Sequence, residues 1–193
     1  MARPSLKEER TEEILDAFER CVARSGIEGA TLERVAEEAG LQRSLMRHYV
    51  GNRNQLIEAL LDRFLKRSSH YSKALFKALP EEGRANALVR YLFDSYYSDS
   101  QFALVTLALL MAVQEHPELK PRLREWLVDF TEAFAQEIQR AYPDANSDDV
   151  LDVAAGIVGI YFNVESFTPL GSMSRLREAS KNAAEKLLST LQK

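Results

Sequence analysis

Between Gln42 and His48 the chain gathers an amide, two guanidiniums, a hydroxyl and an imidazole, with Leu45 among them. Arg43 and Arg47 are one helical turn apart, so on a helix they share a face. A guanidinium can bond both acceptors of a guanine edge or clasp a phosphate. Gln42 and Ser44 can hydrogen-bond base edges, and Leu45 can lie against a thymine methyl. Upstream, Thr31 stands where a helix begins and can offer its hydroxyl and amide to a phosphate. Downstream, Tyr49 and Arg53 occupy positions that would face a nucleic-acid backbone. The set suits a DNA major groove. Taken alone, the same residues also fit an ordinary solvated helix face, so the residue types leave both readings open.

The elements that must position these residues are two short helices joined by a turn. Thr31 is a good N-cap for a helix over Leu32–Ala39. Gly40 permits the left-handed backbone that the turn needs. A second short helix covers about Gln42–Tyr49. Val35, Ala39, Leu41, Met46 and Tyr49 fall at the spacings that pack two helices across a turn, and the small Ala36 lets them cross closely. Ahead of the pair, Ile14, Phe18, Cys21 and Val22 form an apolar stripe on a helix over Leu6–Arg24, closed by Ser25-Gly26. Behind it, Gly51-Asn52 breaks the pattern and Asn52 can cap a long helix over 53–79. Further helices are expected near 84–97, 100–115, 117–142, 148–167 and 172–192, separated by proline- and glycine-bearing joints. No run alternates long enough for a strand. The expected fold is all-α, with about nine helices: an N-terminal three-helix helix-turn-helix domain over 1–52, its motif at about 31–50, and a C-terminal helical domain over 53–193. The long helix 53–79 joins them.

Composition narrows the function classes. The 193 residues are 46% hydrophobic and 28% charged, enough for a packed core and a solvated surface. The net charge of -4 argues mildly against nucleic-acid binding. Its distribution matters more: residues 1–67 carry twelve bases and twelve acids, while Arg34–Arg67 carries seven bases against four acids, so a local basic face is allowed. The single Cys21 excludes an internal disulfide and suits a reducing cytosol. The N-terminus is polar, without a signal-peptide pattern. The longest apolar stretch, Phe102–Val113, is twelve residues, against the roughly 20 that a membrane span requires. A cytoplasmic protein without membrane contact is expected. His48, His70 and His116 lie far apart and form no metal-ligand pattern, and neither a phosphate-binding glycine loop nor a G-x-S-x-G elbow occurs. Cys21 sits on an apolar stripe, as a packed thiol does. Catalysis, a metal and a cofactor are therefore not expected.

Residues 10–67 resemble the N-terminal domain of the TetR family of regulators. The resemblance is carried by Arg10, Ile14-Leu15-Asp16-Ala17-Phe18, Gly26 and Ala30-Thr31-Leu32-Glu33-Arg34-Val35-Ala36-Glu37-Glu38-Ala39-Gly40-Leu41. It continues through His48-Tyr49-Val50-Gly51-Asn52-Arg53 to Leu56-Ile57. It implies a transcriptional repressor that binds an operator and is released by a small-molecule effector. It also implies DNA-contacting roles for Thr31, Ser44, Leu45, His48, Tyr49 and Arg53; those of Gln42, Arg43 and Arg47 rest on helix geometry. The chain departs from the family pattern in having Gln42 where a small hydroxyl residue is usual, Arg47 where a tyrosine is frequent, Val50 in place of phenylalanine and Arg53 in place of lysine. An all-helical ligand-binding or interaction protein without DNA binding is the alternative, but it leaves the resemblance unexplained.

The resemblance further implies a variable C-terminal domain that dimerises and binds the effector. The run Val153–Phe162 is apolar all round, so its helix must be buried on more than one face. Ala155 and Gly159, four apart, allow close helix–helix approach. Leu176, Ala179, Ala183, Leu187 and Leu188 form a second stripe. By family analogy the last two helices, about 148–167 and 172–192, make the homodimer interface; an intrachain core is the other reading. Candidate effector-lining residues are Tyr96, Phe102, Leu110, Gln114, Trp126, Phe130, Asn163 and Phe167, a largely apolar and aromatic set of the kind that lines small-molecule pockets.

Overall fold

The computed structural model describes residues 6–94 and 99–192. Among them are nine α-helices and no strand: α1 (Leu6–Gly29), α2 (Leu32–Glu38), α3 (Arg43–Val50), α4 (Arg53–Ala78), α5 (Arg84–Leu92), α6 (Ser100–Ala112), α7 (Lys120–Ala141), α8 (Ser147–Ser166) and α9 (Ser174–Ser189). The all-α expectation holds. Two compact units divide the chain: one takes residues up to Arg67 together with Gln101–Pro121, the other Ser68–Ser100 and the chain from Arg122 onward.

In the first unit the stripe expected on α1 is fully inward, with Ile14, Phe18, Cys21 and Val22 all buried. Helix α1 packs on α2 and α3, where Val35, Ala36 and Met46 are also buried, as are Leu56, Ile57, Leu60 and Leu61 of α4. Gly26, at φ 70, breaks α1, and one further turn carries the chain to Ala30. A buried carboxylate ties α1 to later elements: Glu19, 5% exposed, lies 3.3 Å from Arg63 Nε and 3.3 Å from Arg67 Nη1, and accepts from Gln101 Nε2 at 3.2 Å. Arg63 also pairs with Asp16. Phe102 stacks on Phe64 at 5.1 Å between centroids, with the Arg67 guanidinium 5.7 Å from its ring.

In the second unit α5, α7, α8 and α9 bury Leu88, Val89, Phe134, Ile138, Val153, Ala154, Ile157, Ala184 and Leu188 around one core. Arg84 anchors the end of α4. Its guanidinium pairs with the buried Glu137 at 2.6 Å and donates to the carbonyls of Phe76 and Leu79 at 3.2 and 3.3 Å.

Several helix ends differ from those the periodicity suggests. The helix from Arg84 stops at Leu92, where the Phe93 amide bonds back to Val89 O. Residues 95–98, and with them Tyr96, lie outside the described residues. The helix expected to reach 115 stops at Ala112, whose carbonyl accepts from the Glu115 amide in a tighter i→i−3 bond as well as from the His116 amide. His116 precedes a proline, which disfavours the helical conformation there. Pro117–Leu119 then forms a single 3-10 turn before α7 begins.

Candidate nucleic-acid interface

Local bonds fix the α2–turn–α3 unit at each joint. Thr31 caps α2, its hydroxyl oxygen accepting from the Arg34 amide at 3.3 Å, and the hydroxyl hydrogen remains available to an external acceptor. At the far end Leu41 N bonds Ala36 O at 2.9 Å and Gly40 N bonds Glu37 O at 3.1 Å. This double bond pattern closes a helix when the residue after its C-cap turns left-handed, as Gly40 does at φ 65. At the end of α3, Asn52 and Gln55 cap α4 reciprocally: Asn52 Oδ1 accepts from Gln55 N, and Gln55 Oε1 accepts from Asn52 N, both at 2.9 Å.

Helix α3 turns Met46 and Val50 inward, at 0% and 9% exposure. That leaves Gln42, Arg43, Ser44, Leu45, Arg47 and His48 exposed, with Leu45 at 42%. Tyr49 is half-buried, its ring edge-on to His48 at 5.4 Å between centroids. Gln42 occupies the N-cap of α3 without a side-chain capping bond and is exposed. The exposed set combines donors, acceptors and one apolar side chain on a single short helix whose opposite side is locked in a core. Such a surface can bond base edges and phosphates together. One neighbouring acid, Glu38, is paired: hydrogen bonds from Arg20 and then Arg24 hold its carboxyl below the ordinary carboxylate range.

Arg53 is placed differently from the rest of the expected set. Its Nη1 donates to Ala30 O at 2.9 Å and its Nη2 to Ile27 O at 2.6 Å. The guanidinium is engaged with the corner that precedes Thr31.

Residues 14–60 match the family described as bacterial regulatory proteins, tetR family. The HTH-type transcriptional regulator BetI of Vibrio atlanticus (strain LGP32) is 24% identical over 123 residues, 62% of each chain. That of Rhizobium meliloti (strain 1021) is 25% identical over 168 residues, 83% of this chain and 80% of its own. The chain thus spans 62% of the length of the Vibrio relative. Among solved structures, a TetR transcription regulator from Haloarcula marismortui ATCC 43049 shares the fold at TM-score 0.76 and 18% identity, covering 94% of this chain and 97% of its own. A TetR family transcriptional regulator from Cytophaga hutchinsonii does so at TM-score 0.79 and 14% identity, covering 98% of each. Residues 14–60 thus resemble the tetR family of bacterial regulatory proteins, and the chain as a whole shares the fold of TetR-type regulators. The relatives named here are transcriptional regulators rather than enzymes.

The effector candidates are divided between the two units. Phe102, Leu110 and Gln114 lie in the first unit, the last two exposed. Trp126 and Phe130 lie in the second unit and do meet, at 6.2 Å between centroids. They share Phe162, at 5.7 and 5.8 Å, and Phe130 packs on Phe134 at 4.7 Å. Trp126 Nε1 donates to the buried Ser68 hydroxyl at 2.7 Å. Phe162, Phe134 and Ser68, which complete this cluster, were not among the candidates. Phe134 follows Phe130 by one helical turn, which was a legible signal; Ser68 carried none. Phe167 lines a separate hollow with Phe93, Met173 and Arg177.

Asn163 stands in a groove with Gly156, Gly159, Ile160, Ala179, Ser180 and Ala183. The stripes expected on α8 and α9 split here. Val153, Ala154, Ile157, Ala184 and Leu188 are buried, whereas Ala155, Gly159, Leu176, Ala179 and Ala183 are exposed. No helix among the described residues is long and apolar enough to cross a membrane.

Proposed function

We propose that this chain is a sequence-specific transcriptional regulator, acting in the cytoplasm as a homodimeric repressor that leaves its operator when a small-molecule effector binds. The observation that carries the reading is the exposed Gln42–His48 face of α3, locked from behind by Met46 and Val50. Base edges are read by Gln42, Arg43, Ser44 and Leu45, while Thr31, Arg47, His48 and Tyr49 hold the backbone. Arg53 serves the same face by holding the corner before Thr31.

Dimerisation supplies the second recognition helix. Two such helices reach successive major grooves about 34–36 Å apart, so the operator is an approximate inverted repeat. The exposed apolar stripe on α8 and α9 supports pairing of two copies there. The Trp126–Phe130–Phe162 cluster is the best-supported place for an apolar or mixed effector, and α4, whose residues belong to both units, is the element that effector binding displaces. The two domains are taken as 1–52 and 53–193.

Selection of bound duplexes from a random DNA pool by the purified chain, at two salt concentrations, tests this. The expected result is an enriched inverted repeat whose affinity falls as salt rises. Absence of enrichment at both concentrations, from refolded protein freed of any bound effector, would defeat it in favour of a helical binding protein that does not touch DNA.

A further inference from the structure

The corner between α1 and α2 is held by more than its own backbone. Arg53 receives it through Ile27 O and Ala30 O, and Arg34 Nη1 donates to Gly29 O at 2.9 Å. Glu28, in the middle of that corner, has Oε2 3.4 Å from Arg53 Nη2 and Oε1 3.1 Å from His116 Nε2. His116 is 88 residues further on, in the turn between α6 and α7, and its side chain is only 13% exposed. That turn is itself tightly fixed. His116 N bonds Ala112 O at 2.7 Å, Nδ1 lies 3.2 Å from Glu118 Oε1, and Leu119 is fully buried. The whole chain of contacts lies within the first compact unit.

We infer that His116 is a positioning residue of the DNA-reading face, acting through Glu28 and Arg53 to set where Thr31 and the start of α2 lie. The inference rests on the proposed regulator reading. His116, Glu28 and Arg53 need not touch DNA. Arg53 binds the two carbonyls that flank the corner; Glu28 holds that guanidinium by charge and is held in turn by the imidazole. A displacement of the α6–α7 turn is therefore passed to the residue that offers its hydroxyl and amide to a phosphate, without any other element of the head having to move first. Such a contact makes the segment 112–119 a working part of the head, although it lies far outside the helix-turn-helix in sequence.

The test uses the full chain and two readouts: the backbone amide resonances of Thr31 and Leu32 in a ¹H–¹⁵N spectrum, and affinity for the duplex selected above. His116→Leu and Glu28→Gln are expected to shift both resonances. His116→Leu should weaken binding by about tenfold, within the range of couplings between distinct sites. His116→Gln keeps a donor for Glu28 and should restore most of the loss, which a purely space-filling role for the ring would not produce. Unmoved Thr31 and Leu32 resonances in both variants would overturn the inference, as would shifted resonances with unchanged affinity. If the wild-type chain selects no duplex, the regulator reading falls, and the positioning contact is still decided by the resonances.

Discussion

At the scale of single residues, the two arginines of α3 are not equivalent by position. Arg43 is the first residue of the helix and Arg47 lies in its last turn, so on the proposed interface they would meet a duplex at different depths. A guanidinium that bonds a base edge gives discrimination at one position; one that bonds phosphate gives none. Arg43→Ala, at the N-terminal end of α3, is expected to cost about 1–3 kcal/mol and relax preference at one base pair. Arg47→Ala is expected to weaken binding to all sequences alike and reduce the salt slope by about one. Titrations of each variant against the selected duplex and single-base changes of it, at several salt concentrations, separate the two roles, and a base-selective loss from Arg47→Ala would reverse the assignment. Residue types were enough to find this face, because its polar side chains interrupt an otherwise inward-facing pattern. They were not enough to place Arg53. A cation at a helix start reads as a phosphate ligand, and only the Gly26 break, which brings the Ile27 and Ala30 carbonyls to it, shows where its donors go.

At the scale of elements, the exit from α3 carries the tightest local requirement. Gly51 has φ 73, and a Cβ added there would meet Gln55 Oε1 at 2.0 Å. That same oxygen accepts from Asn52 N, so the backbone conformation and the capping bonds of α4 compete for one space. Gly51→Ala is expected to destabilise the chain by more than the roughly 0.4–1 kcal/mol that removing a glycine can return through the unfolded state, because it strains the backbone and displaces the cap together. Asn52→Ala, which removes only one side of the reciprocal cap, should cost about 1 kcal/mol. Chemical denaturation of both variants checks the order, and equal losses would mean that the cap alone accounts for the site. Helix identity was legible in most segments, since the apolar period of 3.6 is written into them, while α6 and the middle of α8 are apolar on all sides and read as helices by length and flanking breaks. Helix ends were less legible. The stops at Leu92 and Ala112 leave no mark on the periodicity, although Pro117 did announce that a boundary was near.

At the scale of the whole molecule, the question is which apolar surface a second copy would cover. The stripe on α8 looked uniform in sequence, but α9 packs on only part of it and buries Ala184 and Leu188 rather than Ala179 and Ala183. Two glycines of α8 differ correspondingly. A Cβ on Gly156 would stand 3.0 Å from Leu187 Cδ1 within the chain, whereas a Cβ on Gly159 would meet nothing within 4 Å. Gly159 is therefore spared by the fold and available to a partner, where a small residue permits close approach. Replacing it with leucine leaves the single chain unstrained and raises intrinsic helix propensity by about 0.5–1 kcal/mol, so folding of the chain itself should not suffer. The larger side chain, however, occupies the groove beside Ile160 and Ala183 into which a second copy would pack. Gly159→Leu is accordingly expected to sediment as a monomer at concentrations where the wild-type chain is a dimer. Its helical signal should be unchanged, and it should lose the affinity gained from binding both halves of an inverted repeat while keeping its affinity for one half. Gly156→Leu should instead lower the stability of the chain itself, through the clash with Leu187. Were Gly159→Leu to remain dimeric with full affinity for the repeat, the second copy would have to be covering another surface, and the exposed stripe of α8 and α9 would need a different occupant.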